Sequence, residues 1–447
     1  MKKILAIVLA ALMLAAVFSG CGKDPGTSSG GNTENSVVES KWPSGYPFKE
    51  GAFQGKTMYT INVGDLSASD AAKEFMEATG ATIVSSVTDY GSRIQEVKTA
   101  IVAGNHCDFI SIDNAQFPSY AINNLVIPIK EVIDIHDQNN FDTQYLNNAI
   151  VDFFTFNGEE YGYAFSRTNA CGYIIYRKSF FEQAGLEDPN ELMQKGEWTF
   201  EALENAVAAL TYDSDEDGVV DKFGLGGYVD CYWIGCAGGD ANSVRWAEDG
   251  TPHYALDDPD ILECLEFYRE LQDKGYFKVI TTPESDFCLG KTAMLGGIVA
   301  WSSQVILDYI PVEDIGFVSF PIAPSNTTGI VRAFTHSGCY SIPASVGDKE
   351  LVAEWMKYSN YERKDKDYAA ELQKVVDKTY GGNKEWFDFD QSLVKNAWID
   401  NAPCFGILSQ LINNGVYWGG ANGTIRDLIV ALEPAAQSEI DEVFYGE

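Results

Sequence analysis

Histidine is almost absent from this chain and basic residues are few. Its 447 residues include 4 His and 31 Lys plus Arg against 65 Asp plus Glu, a formal net charge of −34. That balance makes nucleic acid and anionic lipid poor partners of the folded body, because both are gripped through clustered Lys and Arg. The four histidines, at 106, 136, 253 and 336, show no ligand spacing beyond the adjacent His106 and Cys107, which excludes a zinc centre. After residue 18 no apolar run approaches membrane length.

Regular cysteine spacing is missing too. Besides Cys21 there are eight cysteines, at 107, 171, 231, 236, 264, 288, 339 and 404. A chain of this length does not need a disulfide framework, and buried free thiols serve as well. Cys231 and Cys236 form the nearest local pair.

What is present begins at the N-terminus. Lys2 and Lys3 precede an apolar run from Ile4 to Phe18, then Ser19, Gly20 and Cys21. Charge, apolar stretch and small residues in that order predict a signal peptide over 1–20. The tetrapeptide FSGC resembles the lipobox of bacterial lipoproteins, which implies a lipidated Cys21. The next 19 residues, 22–40, are mostly Gly, Ser, Asn and Thr; as a flexible tether their r.m.s. reach is on the order of 25 Å. Residues 21–55 are therefore expected to be a lipidated linker, with the lipid as sole membrane attachment at the outer face of the cytoplasmic membrane. Loss of 1–20 leaves 29 basic and 65 acidic residues, a net of −36. The remaining length of roughly 400 residues suggests two domains.

From residue 57 strand and helix patterns alternate. TMYTINV reads as a strand, SASDAAKEFMEATG as a helix capped by Ser67 or Ser69 and ended by Gly80, and ATIVSSV as a second strand. Ile94, Val97 and Ile101 fall at helical spacing before Gly104, and CDFISID closes a third strand. This is the pattern of a doubly wound parallel sheet. Ligands of such sheets lie beyond the carboxyl ends of the strands, which places Asp89 and Tyr90, and Asp113 and Asn114, at the rim of a cleft.

Several stretches resemble the family 1 extracellular solute-binding proteins of ABC importers. FMEATGATIVSSV and AGNHCDFISIDNAQFPSYAINNLVIPI are similar to its first helix–strand and strand–turn segments. The most specific stretch is FNGEEYGYAFSRTNACGYIIYRKSFFEQAGLED, with WTFEALENAVAAL and FCLGKTAMLGGIVAW after it; IGFVSFPIAP and SIPASVGDKELVAEWMKY continue the match. Ala164 and Arg177 stand where the family usually has Pro and Asn. The resemblance implies an α/β fold of two doubly wound lobes joined by a hinge, periplasmic-binding-protein type II-like. Lobe 1 would be 56–163 with 312–362, and lobe 2 would be 164–311 with 363–447. It implies a monomeric receptor that passes a small-molecule solute, a sugar or oligosaccharide, to ABC permease subunits without transforming it.

Sugar sites combine stacked aromatic rings with planar polar groups. Trp301, which matches the family's tryptophan after GGIVA, is the first stacking ring; Trp233, Tyr417 and Trp418 are the others, with core packing as the alternative for Trp301 and Trp233. Asp113, Asn114, Tyr90, Arg167 and Asn169 are the polar groups, while His336 reads as a structural histidine. Trp198, Trp355 and Trp386 lie in helical patterns that suit core or surface ridge positions. Two other classes stay open: a receptor for a polyamine, metal ion or peptide, and a lipid-anchored glycosidase, which needs two opposed carboxylates.

One stretch asks for a metal. YDSDEDGVVD sets Asp213, Asp215, Asp217, Val219 and Asp221 at positions 1, 3, 5, 7 and 9 around Gly218, the order of an EF-hand loop, with Gly224 in place of the twelfth-position Glu. A structural Ca2+ or a solvated acidic turn both follow from it.

Overall fold

In the computed structural model the residues described are 41–62, 64–88, 93–165, 172–227, 231–248, 251–279, 283–298, 303–334, 338–364, 368–407 and 423–445. The chain divides into two units: Met1–Ile112, Asn123–Ser166 and Cys339–Ala369, and Asp113–Ile122, Arg167–Gly338 and Ala370–Glu447. The strands used below are β1 (Thr57–Asn62), β2 (Thr82–Val87), β3 (Phe109–Asp113), β4 (Val126–Ile127), β5 (Gly162–Tyr163), β6 (Gly172–Arg177), β7 (Phe223–Gly227), β8 (Phe277–Val279), β9 (Thr292–Ile298), β10 (Ile315–Val318), β11 (Ala333–Phe334), β12 (Gly338–Pro343) and β13 (Ala397–Trp398). The helices are α1 (Asp70–Thr79), α2 (Arg93–Val102), α3 (Phe200–Ala209), α4 (Pro259–Asp273), α5 (Lys349–Lys364) and α6 (Ile425–Tyr445).

In the first unit the alternation read from the sequence is present element by element. The Ser69 side chain accepts from Ala72 N to cap α1, and Gly80 ends it at φ 74°. That backbone region favours glycine, and a Cβ there would meet Gln54 Oε1 at 2.5 Å. β1 pairs in parallel with β2 (Thr57 opposite Thr82) and with β3 (Thr60 opposite Phe109). The sheet order is β2-β1-β3-β12-β4, with β5 on β12. Met58, Phe75, Phe109, Tyr163, Ile342 and Trp355 fill its core.

Residues 41–55, expected to belong to a flexible linker, are instead packed on this unit. Ser44 donates from N and Oγ to Glu74 Oε1 (3.0 and 2.7 Å), and Tyr46 Oη donates to Glu354 Oε1 at 3.0 Å. The Tyr46 and Phe48 rings lie 5.4 and 4.7 Å from that of Tyr358, on α5. The apolar residues of WPSGYPF, passed over between glycines and prolines, make this strap.

In the second unit the sheet order is β8-β7-β9-β6-β10. β7 runs parallel to β8 and β9, while β6 is antiparallel to β9 and β10. This corrects the expected division. Ile315–Val318 pairs with Ile174–Arg177, so 312–338 belongs to the second unit and not to the first. The physical reason is the all-buried IGFV run, which completes a sheet edge. Trp198 Nε1 secures the segment by donating to Ser319 O at 2.9 Å. Trp198, Trp355 and Trp386 are all buried. Cys236 is a free buried thiol whose Sγ lies 3.8 Å from Tyr268 Oη, so the local pair with Cys231 is not formed. No helix among the described residues is long and apolar enough to cross a membrane.

Candidate functional site

At the carboxyl end of β1 stands Asn62, which the sequence reading missed. Its backbone carbonyl accepts from Thr88 N at 3.1 Å, joining the ends of β1 and β2. Its side chain is 6% exposed, yet among the described residues neither its amide oxygen nor its amide nitrogen has a hydrogen-bond partner. Leaving both ends of a buried amide unsatisfied costs about 1–3 kcal/mol per group.

Asp113 ends β3 and is 2% exposed. Its Oδ1 accepts from Ala115 N at 3.0 Å while its N donates to Gln116 Oε1 at 3.0 Å, a capping box for the turn Asn114–Gln116. Asn114 Nδ2 donates to Asp400 O at 2.9 Å, and Cys404 Sγ donates to Asn114 O. Around them, Asn401 Oδ1 accepts from Val244 N (2.9 Å) and its Nδ2 donates to Val244 O (3.0 Å). Asp113 and Asn114 thus anchor a buried polar network of the second unit.

Trp233 is 1% exposed, its ring 3.8 Å from Tyr268, 4.7 Å from Phe320 and 5.6 Å from Phe277. These neighbours cover it, so Trp233 is a core side chain; this corrects the reading of an open stacking face. The glycines around it serve that packing, since a Cβ on Gly296 would approach the indole to 2.7 Å. Trp301, Tyr90, Arg167, Asn169, Tyr417, Trp418, His336 and Cys21 lie outside the described residues.

The acidic loop closes on the reciprocal Tyr212–Lys222 backbone bonds, 3.1 Å each. Ligand oxygens of Asp213, Asp215 and Asp217 lie within 4.8 Å of one another. Gly218 N donates to Asp213 Oδ2 (2.6 Å) and Val219 N to Asp217 Oδ1 (2.8 Å). Glu216 and Gly218 take φ of 61° and 92° to allow this curl. The Gly218 amide holds the Asp213 carboxyl below its ordinary range. Asp213 Oδ1 has no hydrogen-bond partner among the described residues. Asp221, expected among the ligands, is turned to Ser214, accepting from its Oγ at 2.7 Å and its N at 2.8 Å, and is outside the cluster. Val219 presents an exposed side chain beside it. Gly224, the missing twelfth position, is explained by packing: a Cβ there would lie 2.4 Å from Val207 Cα of α3.

Each of the two units is built on a mixed sheet, the frame of an α/β protein. The chain belongs to the bacterial extracellular solute-binding proteins, whose family pattern matches residues 70–376. None of the curated proteins matches it. Among solved structures it is similar to an ABC substrate-binding protein of Listeria monocytogenes in complex with cycloalternan (17% identity, 87% of this chain and 98% of that one, TM-score 0.60). It is also similar to the GacH receptor of Streptomyces glaucescens, solved unliganded and with acarbose (14%, 87% and 99%, TM-score 0.60), and to a maltose/maltodextrin-binding domain of Bdellovibrio bacteriovorus bound to maltotriose (16%, 86% and 99%, TM-score 0.58). At these identities the likeness is one of fold, the two-lobed periplasmic-binding-protein type II kind.

Proposed function

We propose that this chain is the saccharide receptor of an ABC importer, anchored through a lipidated Cys21, monomeric, and without catalytic activity of its own. The observation that carries the reading is Asn62. A buried amide with a free donor and a free acceptor at a strand end matches a sugar hydroxyl, which accepts and donates at once. The saccharides bound by the structural neighbours support the same class. Trp301, Tyr417 and Trp418 are the rings that would stack on apolar sugar faces, with Tyr90 and Arg167 as further polar contacts. The carboxylates of Asp213, Asp215 and Asp217 suit a hard cation, and the spare Asp213 Oδ1 supports a structural Ca2+.

The test is a thermal-shift screen of purified protein against neutral and acidic oligosaccharides, polyols, polyamines, metal ions and short peptides, followed by calorimetry on any hit. Saccharides are expected to stabilise the protein and to be recovered intact after incubation. Stabilisation by a polyamine, metal ion or peptide, with none by any saccharide, overturns the reading; consumption of the saccharide makes the chain an enzyme instead. Cys21→Ser should abolish partitioning into the detergent phase.

A further inference from the structure

Arg332, immediately before β11 in the second unit, is a half-buried cation with no direct ion-pair partner among the described residues. Its backbone is pinned, with N donating to Gly235 O at 3.0 Å, and its Nη1 donates to Ala241 O at 2.6 Å. The guanidinium carbon sits 4.8 Å from the ring centre of Trp398. Among the described residues Arg332 forms no ion pair and makes no second side-chain hydrogen bond, so of five N–H donors one is used. The charges of Asp240 and Asp400 reach it without a direct ion pair among the described residues. Asp240 pairs with Arg245 at 3.4 Å, and Asp400 Oδ1 accepts from Ser243 N (3.4 Å) and Ala402 N (3.2 Å). Burial pushes the guanidinium pKa down to about 10, the direction expected of an uncompensated charge.

Beside it is a second unused donor. Trp398 is 4% exposed and its Nε1 has no acceptor among the described residues. Other buried arginine chemistry in this unit shows the contrast: Arg177 meets Asp314 at 2.6 Å, and Arg245 meets Asp258 and Asp260. Buried cations are ordinarily paired, and a guanidinium fixed by an indole presents a planar fork that fits a carboxylate bidentately. We infer that Arg332, held by Trp398, receives a carboxylate of the solute, so that the saccharides carried are acidic, uronate-bearing oligosaccharides and not neutral ones. This rests on the saccharide-receptor reading above and narrows it.

The test titrates wild type, Arg332→Gln and Arg332→Lys by calorimetry with trigalacturonate, trimannuronate and a glucuronate-bearing xylo-oligosaccharide. Each is paired with its methyl ester; galactotriose, maltotriose, citrate and inorganic phosphate complete the panel. One acid form should bind wild type at least tenfold more tightly than its ester, with the gap closing in Arg332→Gln and partly retained in Arg332→Lys. Equal affinity for acid and ester in wild type overturns the inference even if Arg332→Gln fails to fold, and so does a gap that persists in Arg332→Gln. Citrate or phosphate binding as tightly as the saccharide acid also overturns it, by showing a free-anion site. Binding of neutral saccharides alone overturns it while leaving the receptor reading standing; binding of no saccharide of either kind removes both.

Discussion

Asn62 and Trp233 show how differently two side chains can be read from the same string. Asn62 is buried with no side-chain hydrogen-bond partner among the described residues, so on the saccharide-receptor reading Asn62→Ala removes hydrogen bonds that exist only with solute present. It should weaken saccharide binding by about 1–2 kcal/mol, roughly tenfold, while the melting temperature of the free protein holds or rises, because an unsatisfied buried amide is lost. Calorimetry and a melting curve on the same variant check both; a destabilised protein of unchanged affinity would make Asn62 a structural residue. The sequence could not single it out, since nothing in YTINVGD distinguishes a satisfied amide from an orphan. Trp233 failed in the other direction. It was a candidate stacking ring with core packing as the alternative, and the structure favours the core, where Gly296 is small enough to admit the indole. Asp113 was legible as a strand end, but not as the cap of its own turn.

Elements were far more legible than contacts, because periodicity and caps are local. Ser69, Gly80 and the 94–97–101 spacing located α1 and α2, while the sheet that Ile315–Val318 joins depends on partners more than a hundred residues away. The acidic loop carries a prediction at this scale. Ca2+ at about 1 mM on a site of about 0.1 mM affinity adds roughly 1.4 kcal/mol, so a chelator should lower the melting temperature of wild type and leave Asp215→Ala/Asp217→Ala unmoved. Equal responses would remove the ion from this loop. Supplying the absent ligand by Gly224→Glu should cost about 3 kcal/mol or more, since the new Cβ meets the α3 backbone; a tightened Ca2+ response with undiminished stability would refute that packing account. The aromatic strap carries another. Burial, then Glu354, raises the Tyr46 phenol, and burial, then Glu74, raises that of Tyr358. A raised phenol contributes stability that is complete below the unfolded value of about 10 and is lost as pH rises beyond it. Melting curves from pH 8 to 11 should therefore fall more steeply in wild type than in Tyr46→Phe/Tyr358→Phe, and parallel curves would show that neither phenol governs alkaline stability.

For the molecule as a whole, a net charge of −34 is a standing self-repulsion that salt screens. With a chelator present, raising NaCl from about 20 to 300 mM should lift the melting temperature by a few degrees, about what 1 kcal/mol gives in units of this size. A flat or falling curve would mean that the acids are individually compensated. The same surplus of acid gives Arg332 its meaning, because an anionic solute approaching this surface needs at least one fixed cation to meet it. The strap of residues 41–53 has a mechanical consequence as well. Any pull delivered through the N-terminal segment reaches Tyr46 and Phe48, packed on α1 and α5, before it reaches β1. The strap would yield by peeling, ring by ring, before the sheet behind it is loaded: a sacrificial clip between the preceding chain and the domain core.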